Sequence, residues 1–260
     1  MTSLIVKLIQ FFPYELKLFR FLLKPFVFFL RLKTQSYYTK FKGVKFILHP
    51  SLSLHQTGIL IYPRIFEKKM IKVLSRKIKN KGIFIDLGSH SGFYALLAKS
   101  LISKVSFSYA FEIDSIAINW IKTNISINNF ERKVFLINKA VSGKITNFKL
   151  IVNNKNRGSN FITSANYRNK NKTITLSSWF NKKINTKISA IKLDIEGQEF
   201  DVLCDMFENI KNNFWPDVII VEINHNFKKA KNISKILEKN YYKFVAKENQ
   251  NYAYEKIFKE

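Results

Sequence analysis

Acids at the ends of short apolar runs are the residues of this chain best placed to do chemistry. Asp86 closes Ile83-Phe84-Ile85, and Glu112 closes the run Ser106–Phe111. Asp194 closes Ala190–Leu193 and opens the cluster Ile195-Glu196-Gly197-Gln198-Glu199, while Glu222 lies near the end of Asp217–Ile223. A carboxylate held within hydrogen-bond reach of a substrate can take a proton or hold a hydroxyl or amine. Each acid also has a plainer reading. An acid at a strand end is often merely solvated, and acids such as Glu196 and Glu199 suit the first turn of a helix through its dipole. His225, just beyond the Glu222 strand, is either a base or an exposed loop residue.

The glycines narrow the chemistry. Asp86-Leu87-Gly88-Ser89-His90-Ser91-Gly92-Phe93 reads as strand, tight turn and helix. Gly88 and Gly92 let the backbone come close to a ligand, at the carboxyl end of a strand where open α/β sheets bind cofactors. The spacing matches neither the dinucleotide pattern G-x-G-x-x-G nor the phosphate loop G-x-x-x-x-G-K-[ST]. Glu112 follows Gly92 by 20 residues, where an acid at the tip of the second strand can accept hydrogen bonds from two ribose hydroxyls.

Around these residues the pattern calls for alternating strands and helices. Strands are expected at 83–87, 106–111, 134–137, 190–194 and 217–223, the last as near-continuously apolar as a strand buried on both faces. Helices are expected after Glu112, with Ile116, Trp120, Ile121 and Ile125 on one side, and after Gly197, with Phe200, Leu203, Cys204 and Phe207 inward. Residues 40–48 alternate like a hairpin strand. Residues 62–79 read as one helix lying across the cofactor entrance. Residues 146–152 and 172–176 read as strands joined by a long polar loop, 153–171, which is either a lid carrying Arg157-Gly158-Ser159-Asn160 or a surface turn. A helix at 229–239 and a strand pair at 241–246 and 252–258 complete the chain.

Together, Asp86-Leu87-Gly88…Gly92, Phe111-Glu112, Asn138-Lys139-Ala140-Val141-Ser142, Ile191-Lys192-Leu193-Asp194-Ile195-Glu196-Gly197-Gln198-Glu199 and Val221-Glu222 resemble the FkbM family of S-adenosylmethionine (SAM)-dependent methyltransferases over residues 62–223. Two positions depart from the family pattern. Thr175-Leu176-Ser177 stands where Thr-Leu-Asp is frequent, and Glu112-Ile113 where Glu-Pro is usual. The resemblance implies a class I methyltransferase fold, an α/β Rossmann-like sheet of seven mostly parallel strands with the last antiparallel, flanked by helices. It implies SAM as cofactor, held by Asp86, Gly88, Ser89, His90, Gly92, Glu112, Asn138, Ala140 and Asp194. It further implies O-methylation of a hydroxyl on a sugar or bacterial surface-polysaccharide precursor. SAM already carries an electrophilic methyl group, so the protein must align the acceptor and remove its proton. Asp194 is the first candidate base, with Glu196 and Glu222 beside it. Asp194 could instead hold the methionine amino group. No metal is assigned, although Asp194, Glu222 and Asn224 are ligand types a divalent ion accepts.

The 260-residue chain is expected to hold a basic amphipathic segment (1–35), a connecting hairpin and helix (36–80) and a catalytic domain (81–260). A single cysteine, Cys204, rules out an internal disulfide and fits a reducing, cytoplasmic setting; no Cys/His spacing suggests zinc. A formal net charge of +26 raises nucleic acid or an anionic membrane as partners. Lysine is scattered throughout, however, along with Asn, Ile and Phe, and no nucleic-acid motif is present, so nucleic acid is disfavoured. In residues 1–35, Lys17, Arg20, Lys24 and Arg31 form one stripe and apolar residues cover the rest of the wheel, with Pro13 and Pro25 dividing the helix. No uncharged run is long enough to span a bilayer. So wide an apolar arc must be buried against the catalytic domain, in a homodimer, or at the inner face of a membrane. A basic RNA- or membrane-binding protein with weak or lost catalysis is the competing class; the intact Asp86, Gly88, Gly92 and Glu112 set speaks for the enzyme.

Overall fold

A computed structural model describes residues 6, 21–166, 171–184 and 186–257. Lys17 and Arg20 of the expected N-terminal stripe lie outside them, as do the expected break at Pro13, the 167–170 part of the expected loop and the last residue of the strand expected at 252–258.

The centre is a seven-stranded sheet. Its strands are β3 (Gly82–Leu87), β4 (Val105–Phe111), β5 (Val134–Ile137), β8 (Ile188–Leu193), β9 (Val218–Glu222), β10 (Tyr242–Glu248) and β11 (Asn251–Lys256), in the order β10-β11-β9-β8-β3-β4-β5. From β5 to β9 every pairing is parallel, whereas β11 runs antiparallel to both β9 and β10. This is the sheet the sequence predicts, its last strand reversed. Every residue of β3 and β8 is buried, because helices cover both faces of a parallel sheet. Alternate side chains feed two cores: Phe84 and Ala190 go to one face, Ile85, Leu87, Ile191 and Leu193 to the other.

One face carries a hairpin, β1 (Tyr37–Phe41) with β2 (Val44–Leu48), and the helices α2 (Leu54–Ile61), α3 (Lys68–Lys77), α4 (Phe93–Leu101) and α5 (Ser115–Ser126). Helix α1 (Lys24–Leu32) leans on α2 and on the turn at Pro50–Leu52. On the other face lie α6 (Leu176–Lys183), α7 (Glu199–Asn209) and α8 (Ile233–Lys239). A separate two-stranded sheet, β6 (Phe148–Ile151) with β7 (Phe161–Ser164), projects after β5.

Three expectations change. The helix expected over 62–79 is shortened to α3, Lys68–Lys77, and an unexpected helix, α2, precedes it at Leu54–Ile61. Pro63 disfavours helical backbone at Tyr62, and Glu67 takes a left-handed φ of 50°, while Ser53 caps α2 by accepting from the Gln56 amide at 3.1 Å. It is α2 that reaches the cavity described below; α3 packs on β10, β11 and β9. The strand expected at 172–176 makes only isolated bridges, and β6 pairs instead with β7, inside the expected loop. Thr175 then caps α6 by accepting from the Ser178 amide at 3.1 Å. The inward face of α7 is Val202, Leu203 and Met206, with Cys204 half-buried.

Candidate active site

The carboxyl ends of β3, β4 and β8 converge on one cavity. Asp86, Gly88, Ser89, His90, Glu112, Ala140, Asp194 and Glu196 line it, together with Lys192 and Tyr94. Gly92, Asn138 and Glu222, also expected at the site, are not part of its lining. Gly92 begins α4 with a φ of 77°, where an added Cβ would meet Leu96 Cδ1 at 2.6 Å; its role is to turn the chain. Asn138 faces a neighbouring shallow depression. Glu222 stands beside Asp194, and His225 is exposed.

Backbone geometry holds this rim together. The amides of Gly88 and Ser89 donate to the Phe111 carbonyl at 3.1 and 2.9 Å, and the Asp194 amide donates to the Leu87 carbonyl at 3.0 Å. A Cβ on Gly88 would sit 1.8 Å from the Asp194 carbonyl oxygen. Glycine is therefore required there for two strand-end loops to touch, as well as for its φ of 78°. Asp86, only 2% exposed, accepts from the Ala95 amide at 3.1 Å and ties the strand to α4. Burial pushes its carboxyl up to about 6.

Glu112 is fixed by three backbone amides: those of Ile113 and Asp114 donate to Oε1 at 2.7 and 2.9 Å, and that of His90 to Oε2 at 2.8 Å. Burial raises its pKa to about 7 against those hydrogen bonds. His90 holds a left-handed φ of 53°, and both its ring nitrogens are buried without a partner. Burial lowers its pKa to about 4, so the ring is neutral near pH 7 and can donate and accept. Residues held in rare backbone conformations concentrate at working sites, and Glu196 is a second case, with φ 49°.

The β8 end is an acid cluster. Ligand-type oxygens of Asp194, Glu196 and Glu222 lie within 4.8 Å of one another, too close for three ionised carboxylates. Lys192 Nζ, on a residue 3% exposed, sits 2.7 Å from Asp194 Oδ2. Burial works against the Asp194 charge, but the Lys192 ammonium outweighs it and holds Asp194 below the usual carboxylate range. Burial and then Asp194 drive Glu222 up, so Glu222 carries the cluster's proton. Burial, then Asp194 and Glu199, raise Glu196 to about 7. Glu199 organises the loop, accepting from the amides of Ile195 at 2.8 Å and Gly197 at 2.9 Å. A divalent ion on this cluster would compete with the Lys192 ammonium.

The opposite wall combines α2, which the sequence did not announce, with the loop whose Arg157, Gly158 and Asn160 line the cavity. Helix α2 brings His55 within 5.5 Å of the His90 ring, centre to centre. Its Nδ1 has no partner, and burial, then His90 and Lys192, lower its pKa to about 3. The loop 153–160 supplies Arg157, whose Nη1 donates to both Asp114 carboxylate oxygens at 2.8 Å, and Asn160, whose amide nitrogen donates to Asp114 Oδ2 at 2.9 Å. Gly158, Phe161 and Ile162 complete that wall. Ser177, at the departure from Thr-Leu-Asp, bonds Asp205 at 2.6 Å through its hydroxyl and is not among the cavity-lining residues.

The donor set fits SAM. Glu112, at the tip of β4, suits ribose hydroxyls; Ile113, Ala140 and Val141 offer an apolar seat for an adenine ring; Asp86 and Asp194 suit an ammonium and a sulfonium. The buried, unpartnered His90 ring nitrogens await a polar ligand.

The parallel five-strand core, the reversed last strand and a carboxylate-rimmed cavity at the strand ends define a class I methyltransferase. The methyltransferase FkbM domain matches residues 86–252, more than half of the chain, and the protein belongs to that family, whose cofactor is S-adenosylmethionine. A search of curated proteins finds no match to this chain. Among solved structures, it is similar to a precorrin-6y C5,15-methyltransferase from Geobacter metallireducens (12% identity, 73% of this chain and 88% of that one, TM-score 0.45). It is also similar to M. jannaschii TYW2 in complex with AdoMet (14% identity, 86% and 88%, TM-score 0.43). A third likeness is M. capricolum TrmK in complex with S-adenosyl-homocysteine (14% identity, 72% and 67%, TM-score 0.40).

Proposed function

We propose that this methyltransferase acts on a hydroxyl group of a sugar or surface-glycan precursor. One observation carries the reading. The cavity that holds Glu112 and His90 continues to a polar end where Asp194, Glu196 and the unpartnered His55 face the same space. Clustered carboxylates and a neutral imidazole suit a substrate rich in hydroxyl donors.

When bound, SAM supplies an electrophilic methyl group. Glu112 and His90 would hold its ribose end, and Asp86 or Asp194 its amino group. Asp194 stays ionised against Lys192 and favours a positively charged ligand. Its depressed pKa makes it a poor proton acceptor. Glu196, lining the cavity with a pKa near 7, is matched to take the proton that the acceptor hydroxyl loses. Neutral His55 accepts a hydrogen bond from that hydroxyl or its neighbour and orients it.

The test is transfer of label from methyl-labelled SAM to fractionated extract and to free and nucleotide-linked sugars. Label that enters a carbohydrate fraction and survives mild alkali, as a methyl ether does, supports the reading. Label in RNA or protein alone removes it.

A further inference from the structure

Helix α1 is built inside out. It buries Leu30, and Leu23, at the position before it, is buried too; the helix packs on the turn at Pro50–Leu52 and on α2. Phe21, Leu22, Phe26, Phe28, Phe29 and Leu32 are left 54–64% exposed. At 100° per residue these six fall within one arc of about 160° that excludes the buried pair. A helix on a water-facing surface ordinarily turns such residues inward, and an apolar patch of this kind marks an interaction site.

The stretch of chain that carries it has charge of one sign. No Asp or Glu occurs between Glu15 and Glu67, while Lys24, Lys33, Lys40 and Lys42 are exposed. Bulky apolar side chains outward, on a stretch of chain that carries exposed lysines and no acid, are what a helix lying in an anionic lipid interface requires. Among the described residues no helix is long and apolar enough to cross a membrane, so the geometry is that of a helix lying on the surface.

The same helix is joined to the cavity. Arg31 donates to the Pro50 carbonyl at 3.2 Å and to the Lys155 carbonyl at 3.0 Å. Asn156, next in the chain, accepts from the Leu54 amide at 3.1 Å, and Arg157 lines the cavity. We infer that α1 docks the enzyme on an anionic lipid bilayer through its phenylalanine face, with the cavity wall 153–160 held beside the bilayer by Arg31. The docking does not depend on which hydroxyl is methylated.

The experiment is co-sedimentation of the full chain with phosphatidylcholine vesicles, with and without phosphatidylglycerol, for the wild type and for a Phe28→Asp, Phe29→Asp double variant. SAM binding by the variant shows that its cavity is intact, since both side chains point away from the fold. The inference expects sedimentation with phosphatidylglycerol vesicles, weakened by salt, and a loss of roughly tenfold or more in the variant. It is overturned by wild type that stays in solution with those vesicles, or by a variant that sediments equally well. A dimer split by the variant without vesicle binding overturns it in favour of a second copy. Binding to RNA that vesicles do not displace overturns it in favour of nucleic acid.

Discussion

The two walls of the cavity are built on different principles. The wall formed by the ends of β3, β4 and β8 is held by backbone: strand-end amides and carbonyls interlock, and Glu112 sits in a fork of three amide donors. The wall formed by α2 and the loop 153–160 is held by side chains: Arg157 and Asn160 grip Asp114, and Arg31 and Asn156 tie the loop to its surroundings. Backbone-held geometry follows from the sheet itself, given a glycine at 88 and an acid at 112. Side-chain-held geometry belongs to this chain, and it is the wall where an acceptor would be discriminated.

The largest expected contrast comes from the two glycines. Gly88→Ala places a methyl group 1.8 Å from the Asp194 carbonyl oxygen at a left-handed φ, with a loss of about 3 kcal/mol or more. Gly158→Ala meets nothing closer than 3.5 Å and changes stability by less than about 0.5 kcal/mol. Thermal unfolding of both variants checks this; equal melting temperatures would erase the distinction between the walls. Next, Glu112→Ala weakens SAM binding by about 2–3 kcal/mol, as expected for loss of charge-assisted hydrogen bonds, measured by calorimetry.

Glu196→Gln leaves SAM affinity near the wild-type value and lowers turnover roughly 100-fold. Its pH profile sharpens the test. With a pKa near 7, Glu196 is protonated below that pH and cannot accept a proton, so wild-type turnover rises as pH climbs through 7. The variant should lose that inflection, and an unchanged profile would assign the base elsewhere on the rim. The smallest effect belongs to the side-chain wall: His55→Ala should cost about 1 kcal/mol, seen in acceptor kinetics with SAM affinity intact. If SAM binding falls equally, the walls act as one.

Much of the first wall was legible in the sequence. Asp86, Gly88, Glu112 and Asp194 end apolar runs at glycine turns, and a parallel sheet brings such ends to one rim whatever else the chain does. Spacing did not reveal that Gly88 is needed for the Asp194 carbonyl, or that Gly92 and Asn138 stand away from the cavity, because those facts concern which loops touch. His55 gave no local signal beyond being a histidine in an apolar stretch. It becomes a cavity residue because Ser53 caps a separate short helix, α2, that ends before Pro63 and packs His55 beside His90.

The sequence by itself determined the parallel strands of the sheet and the helices between them, the carboxylate rim and the family, since periodicity and glycine position are local properties of the chain. Tertiary structure alone decided which carboxylate keeps its charge. Asp194 is held ionised by Lys192, buried 2.7 Å away, while burial and then the Asp194 charge keep the proton on Glu222; such proton placement is set by distance and desolvation in the folded state.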